Sequence, residues 1–377
     1  MNKKKAIKYS KDFIIADGHI DLPFRLNKEG LLFKKNINLN NETSGNFDIP
    51  KAKIGGLDCP FMAIYIPSEK LEDEAYSFAN SLIDLVKNTI KYNDQLAPAL
   101  SPTQVIKNFN NDKISLPMGI ENGSAIGKNL KNLNHFFNRG IRYVTLTHAK
   151  NNQICDSSYD TNKKWNGLSD FGKLLINEMN NIGMMIDVSH ASDKTFYDIL
   201  KITNKPLIAS HSSPRKLTPG FERNMSDNMI KSLAKNNGII MINFGSSFIN
   251  KKSNILYAKI EELIEKWRLN NGYETKDIEV AKKRKELIKN KDPYADLEDV
   301  IIAIDHVKNL VGDDFIGFGS DFDGLGDSLP NGLKNVSYYP MIIEGLLNRG
   351  YTKERIEKIC YKNLFRVWNA NLQSHQT

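Results

Sequence analysis

Cysteine is scarce in this chain of 377 residues, which has three, Cys59, Cys155 and Cys360. They are odd in number, far apart and lack the neighbours of a zinc ribbon, which speaks against a disulfide scaffold and for small buried or loop thiols in a reducing, cytoplasmic compartment. Long apolar runs are missing as well. No window of about 18 or more apolar residues exists, and the basic opening MNKKKAIKYSK is not followed by the apolar stretch of a signal peptide. The polar NANLQSHQT at the end offers no tail for a lipid-anchor signal. On this reading the chain is neither exported nor membrane-spanning. No GxGxxG turn follows the first apolar run, which removes the usual argument for a dinucleotide-binding open sheet. The net charge of +8, from 52 basic and 44 acidic residues, sits in the opening and on Lys-rich helical faces. No basic stripe interleaved with aromatics accompanies it, so nucleic acid is not an expected partner.

What is present is a soluble globular composition, 40% hydrophobic and 25% charged. The stretch 184–215, MIDVSHASDKTFYDILKITNKPLIASHSSPR after its opening Met, carries the main signal. MMIDVS and PLIAS have the length and composition of buried parallel strands, residues 191–203 between them read as a helix, and each run ends in a histidine. His190 and His211 should therefore emerge at the carboxyl edge of one sheet, where α/β proteins place their chemistry. Two imidazoles at one rim suggest a metal; the bland alternative is a pair of satisfied strand-end histidines.

The same pattern recurs along the chain. FIIADGHIDLP ends in His19 and Asp21, two apart and so on one face of a strand. Residues 25–50 are polar and Asn-rich and read as a loop with little regular structure. GLDCPFMAIYIP at 56–67 is a second strand, and residues 72–93 have helical periodicity. LPMGIENG at 116–123 is a third strand, ending on Glu121, which burial makes costly unless a metal or a Lys or Arg partner takes it. IRYVTLTHA at 141–149 ends near His148. The next helix has Ser169 as its N-cap and Gly183 as its stop. After strands five and six come NGIIMINFG at 237–245 and DFIGFGSDFDG at 314–324, the latter terminating in Asp321 and Asp323. Residues 251–291 exceed what a crossover needs and suggest an inserted helical pair, and residues 339–371 read as closing helices.

Eight strands alternating with helices predict a single (β/α)8 TIM-type barrel spanning residues 1–377. Its carboxyl rim would gather His19, Asp21, Glu121, His148, His190, His211 and Asp321, whereas His135, His306 and His375 take no role. That set exceeds the ligands of one four-coordinate zinc, so two metals are implied. Oxygen and nitrogen donors without thiolates suit zinc best, with manganese, cobalt or iron left open. Glu121 could bridge the pair while a shared water becomes hydroxide near neutral pH.

DGHIDLP, GIENGSAIG, YVTLTHAKNN, NGLSDFGKLLINEMNNIGMMIDVSHAS, PLIASHSSPRKL, RNMSD and GFGSDFDG, in this order, resemble the membrane dipeptidase (renal dipeptidase) family of zinc peptidases, within the amidohydrolase-like metal-dependent hydrolases. The resemblance implies a distorted (β/α)8 barrel, commonly a homodimer, that cleaves dipeptides, tolerates a D-residue at the carboxyl-terminal position and in some members opens β-lactam rings. It implies two zinc ions: His19 and Asp21 on one, His190 and His211 on the other, Glu121 bridging. Asp321 would be the acid/base group, His148 would contact the scissile carbonyl oxygen, and Arg223 of RNMSD would hold the substrate's free carboxylate, which a guanidinium can take through two hydrogen bonds. Ser124 stands where a bulkier His or Tyr is expected, and the loop after His148 has its own QICDSSYD; both bear on substrate preference. An amidohydrolase acting on N-acyl-amino acids or lactams is the alternative enzyme, and a barrel without catalysis, serving as a binding protein, the alternative of another class.

Overall fold

Eight parallel strands close into a barrel in the computed structural model, which describes residues 1–34, 36–275 and 277–372. They are β1 (Ile15–Ile20), β2 (Leu57–Tyr65), β3 (Met118–Glu121), β4 (Ile141–Thr145), β5 (Met185–Asp187), β6 (Ile208–Ser212), β7 (Ile239–Ile242) and β8 (Ile316–Phe318). Each pairs with its sequence neighbours, and β8 closes on β1 through the Asp17 and Phe318 partners. All eight predicted strands are thus present, in a (β/α)8 arrangement. Every one is buried on both faces, by helices outside and side chains inside, which is why they read as continuous apolar runs.

Ala16, Phe61, Tyr143, Met185, Ile239 and Met241 share one buried cluster, so the interior is packed and not a pore. The helix Asn363–Leu372 joins that cluster, setting Trp368 against Phe61 with ring centroids 5.0 Å apart. A second, larger cluster lies between strands and helices. The helix Asp170–Ile182 begins where Ser169 accepts from the Gly172 N–H at 2.9 Å and stops at Gly183, whose φ of 79° only glycine adopts freely. Between β7 and β8 run helices Lys251–Asn270 and Ile278–Lys291, which share a small cluster of Ile260, Ile264, Val280 and Ile288.

Three features depart from the sequence reading. The basic opening, to which the sequence reading gave no regular structure, is an α-helix, Asn2–Asp12, which buries Ala6 and Ser10 and lies along the helix Tyr339–Asn348. Its lysines face solvent, so mean charge conceals an amphipathic segment. Helices Leu22–Lys28 and Ile49–Gly55 encroach on both ends of the expected loop at 25–50, the second capped by Asp48. Leu96–Ala97 and Ile114–Ser115 form a separate two-stranded parallel sheet too short for a periodicity to show. Among the described residues no helix is long and apolar enough to cross a membrane, and all three cysteines are buried and free.

Candidate metal centre

The carboxyl ends of the strands deliver the site. His19 lies in β1 and Asp21 just after it; Glu121 is the last residue of β3; His148 follows β4, His190 follows β5, His211 lies in β6 and Asp321 follows β8. The backbones of His190 and Asp321 take positive φ, 68° and 61°, a strained turn that aims each side chain inward as the chain leaves its strand. The Asp321 N–H donates to the His19 carbonyl at 3.0 Å, tying the end of β8 to the end of β1.

Glu121 is the hub. Its Oε1 stands 3.2 Å from His190 Nε2, 3.3 Å from His211 Nε2 and 3.7 Å from His148 Nε2, while its Oε2 is 3.4 Å from His19 Nε2. His19 Nε2 is also 3.5 Å from Asp21 Oδ2. Three sets of ligand atoms, His19–Glu121–His211, Glu121–His148–His190 and His19–Asp21–Asp321, each lie within 4.8 Å of one another. The seven rim residues expected to gather therefore do so. Among the described residues the ion pairs of Glu121 are all with imidazoles, not with Lys or Arg.

Burial raises the cost of ionising Glu121, yet the imidazoles of His19 and then His148 outweigh it and hold the carboxyl well below the usual range. Burial first, and then Arg223 for His190 and His19 for His211, push these two imidazoles well below their ordinary value, leaving neutral rings with a lone pair to offer. Asp321 goes the other way: burial, and next the charge of Asp21, push it well above the usual carboxylate range. Asn243 donates to Asp321 Oδ2 at 2.9 Å.

These residues fit a divalent metal. The donors are nitrogen and oxygen, and His19 Nε2 is buried without a well-formed hydrogen bond among the described residues, an arrangement that is costly unless another group uses the lone pair. Its nearest charged neighbours among the described residues are the carboxylates of Glu121 and Asp21, at 3.4 and 3.5 Å. Two carboxylates, Asp21 and Asp321, crowd the same imidazole, so cationic charge between them would relieve their repulsion.

The cluster forms the floor of a cavity of about 610 Å³, walled by Phe24, Tyr65, Tyr159, Arg223 and Phe248. Arg223 is 3% exposed, donates from Nη1 to Ser212 Oγ and from Nη2 to the His211 carbonyl, both at 2.8 Å, and stands 5.4 Å from the Phe248 ring centre. It is not a surface residue, and neither of these bonds goes to an acid; the carboxylates of Asp321 and Glu121 act on its charge across the cavity. Tyr159 comes from the loop QICDSSYD, which thereby reaches the cavity. Ser124 is buried beside Asn122 and lines a different cavity. Asp323 pairs with Arg25 at 3.1 Å and accepts from the Asn46 N–H at 2.6 Å, so it braces a loop at the rim.

Asn243, Tyr143, Ser210 and Asp187 escaped the sequence reading. Asn243 could have been found as the one polar residue directly after the apolar run of β7. Tyr143 and Ser210 sit inside strands and Asp187 ends one, where only register shows what they face.

A family model described as membrane dipeptidase (peptidase family M19) matches residues 3–377. The chain is 28% identical over 370 residues to Dipeptidase 3 of Mus musculus, a match covering 97% of this chain and 66% of that protein. It thus spans about two thirds of that relative's length. Among solved structures, the probable dipeptidase PvdM from Pseudomonas aeruginosa superposes with a TM-score of 0.85 at 23% identity, covering 99% of each chain. A metallo peptidase from Rhodobacter sphaeroides, liganded with a phosphinate mimic of the dipeptide L-Ala-D-Ala, superposes with a TM-score of 0.77 at 22% identity, covering 95% of this chain and 99% of that one. The fold, the rim cluster and the match across nearly every residue agree: this chain belongs to the membrane dipeptidase family, peptidase family M19.

Proposed function

We propose that this chain is a dipeptidase that holds two zinc ions and hydrolyses dipeptides, including those with a carboxyl-terminal D-residue. The observation that carries the reading is the division of Glu121, with Oε2 toward His19 and Oε1 toward His190 and His211. His19 and Asp21 would hold one zinc, His190 and His211 the other, and Glu121 would bridge them. When bound, zinc supplies Lewis-acid polarisation of a carbonyl and activation of water.

The chain's own groups supply the rest. Arg223, buried and hydrogen-bonded to Ser212 and the His211 carbonyl, takes the substrate's terminal carboxylate, which selects short peptides. His148 lies on the cavity wall and hydrogen-bonds the scissile carbonyl oxygen as negative charge develops there. Asp321, held by Asn243, receives a proton from water and delivers it to the leaving amine. Its raised proton affinity suits that exchange. Phe24, Tyr65 and Phe248 give the cavity an apolar side against which a substrate side chain can pack.

The dipeptide mimic bound by the Rhodobacter sphaeroides protein supports the substrate class. The proposal extends to the whole chain acting as one barrel domain with an inserted helical pair, to a homodimer, and to a cytoplasmic location, which the buried free thiols favour. The test is zinc content measured beside a panel of dipeptides, N-acyl-amino acids and a lactam. Two zinc ions per chain with turnover of Ala-D-Ala is the expected result; turnover confined to acylated amino acids would overturn the substrate assignment.

A further inference from the structure

Asp187, the last residue of β5, is fully buried and ringed by donors. Its Oδ1 accepts from the Ser189 N–H at 3.0 Å and the Ser210 N–H at 2.8 Å. Its Oδ2 accepts from the Ser210 hydroxyl at 2.5 Å and from the Thr145 hydroxyl. The Ser210 oxygen lies 2.7 Å from His211 Nδ1. A hydroxyl has one hydrogen. With that hydrogen committed to the carboxylate, the Ser210 oxygen can meet the imidazole only as an acceptor. His211 must then carry its proton on Nδ1, and its Nε2 is left as a lone pair directed at Glu121, 3.3 Å away.

We infer that Asp187 and Ser210 are positioning residues that fix His211 in the Nδ1-protonated tautomer and orientation, so that Nε2 is the ligand atom. The inference rests on the metal reading of the proposed function. It names two residues that touch neither substrate nor metal. His19 has the same arrangement in another form: its Nδ1 is 3.0 Å from the Tyr143 hydroxyl, which donates to the Gly18 carbonyl at 3.0 Å. His190 provides the contrast, because its Nδ1 is buried and has no hydrogen-bond partner among the described residues. Such outer hydrogen bonds orient a ligand and raise its basicity, and here the serine transmits the effect of a carboxylate that cannot itself reach the ring.

The test compares wild type with Ser210→Ala in zinc affinity, by chelator competition, and reads the imidazole nitrogen resonances of chelator-treated wild-type protein, with His211 assigned through its own variant. The expected result is a loss of roughly 10- to 100-fold in zinc affinity in Ser210→Ala, together with a single Nδ1-protonated form of His211 in wild type that becomes a mixture in the variant. A purely structural serine would leave the tautomer unmoved. Wild-type His211 protonated on Nε2, or unchanged zinc affinity in a folded Ser210→Ala, would overturn the inference. If wild type took up no zinc, the proposed function would fall, and the tautomer measurement would still decide this point.

Discussion

His190 Nε2 and His211 Nε2 stand 2.9 Å apart, and both face the same oxygen of Glu121. In a protein interior two neutral imidazoles so placed must either share one proton or share a cation. Burial keeps both rings neutral, so each retains the lone pair that a metal requires.

Removing metal should therefore cost both activity and stability. Exhaustive chelation is expected to abolish dipeptide hydrolysis, with recovery on adding zinc back. It should also lower the thermal midpoint, because a ligand at roughly a hundredfold excess over its Kd stabilises by about 2.7 kcal/mol. Calorimetry with and without chelator measures this, and full turnover in metal-free protein would contradict the centre.

Asp321→Asn keeps the size of the side chain and its contact with Asn243 but cannot take a proton. A loss of about 100- to 10,000-fold in kcat with intact zinc content is expected. His190→Ala should abolish turnover and also lower zinc content, which separates proton transfer from metal holding.

Arg223→Ala should raise KM for dipeptides with a free carboxyl end by roughly 10- to 100-fold, the worth of a hydrogen-bonded charge. Carboxyl-amidated dipeptides, already poor, should lose little more. Equal loss on both substrates would dismiss the assigned role.

Gly319 follows β8, and a Cβ there would run into the Ser210 carbonyl and the backbone of His211. Gly319→Ala is expected to destabilise the protein by about 1–3 kcal/mol, since backbone cannot yield as a flexible side chain would. It should weaken zinc binding as well, because the strand that moves carries His211. Urea unfolding and chelator competition on one preparation read both effects.

Far from the centre, burial raises the Asp58 carboxyl to about 7, against the hydrogen bond from the Ile15 N–H and the charge of Lys11. The folded state therefore holds a proton that the unfolded chain releases near the ordinary value of 3.8. Stability from this group is present at low pH and is lost as pH rises from about 4 to about 7. Asp58→Asn should gain on wild type between pH 5 and pH 8, measured as the difference in unfolding free energy at the two values. A difference independent of pH would refute the assignment.

Local order in the sequence determined a good deal. Apolar runs marked eight strands, since a strand buried on both faces has no polar alternation to hide its length, and the His, Asp or Glu at the ends of six of them marked the rim residues. Ser169 and Gly183 marked both ends of one helix because capping chemistry is local. The opening helix was hidden by its lysines, and only packing against Tyr339–Asn348 gives it a reason to form. What tertiary structure alone decided is the set of partners: Asn243 beside Asp321 across 78 positions, Tyr143 beside His19 across 124, and Ser210 between Asp187 and His211. Hydrogen bonds reach about 3 Å, whereas periodicity in sequence reports only which face of a segment is buried. The register of a closed barrel, set by every strand at once, is what converts the one into the other.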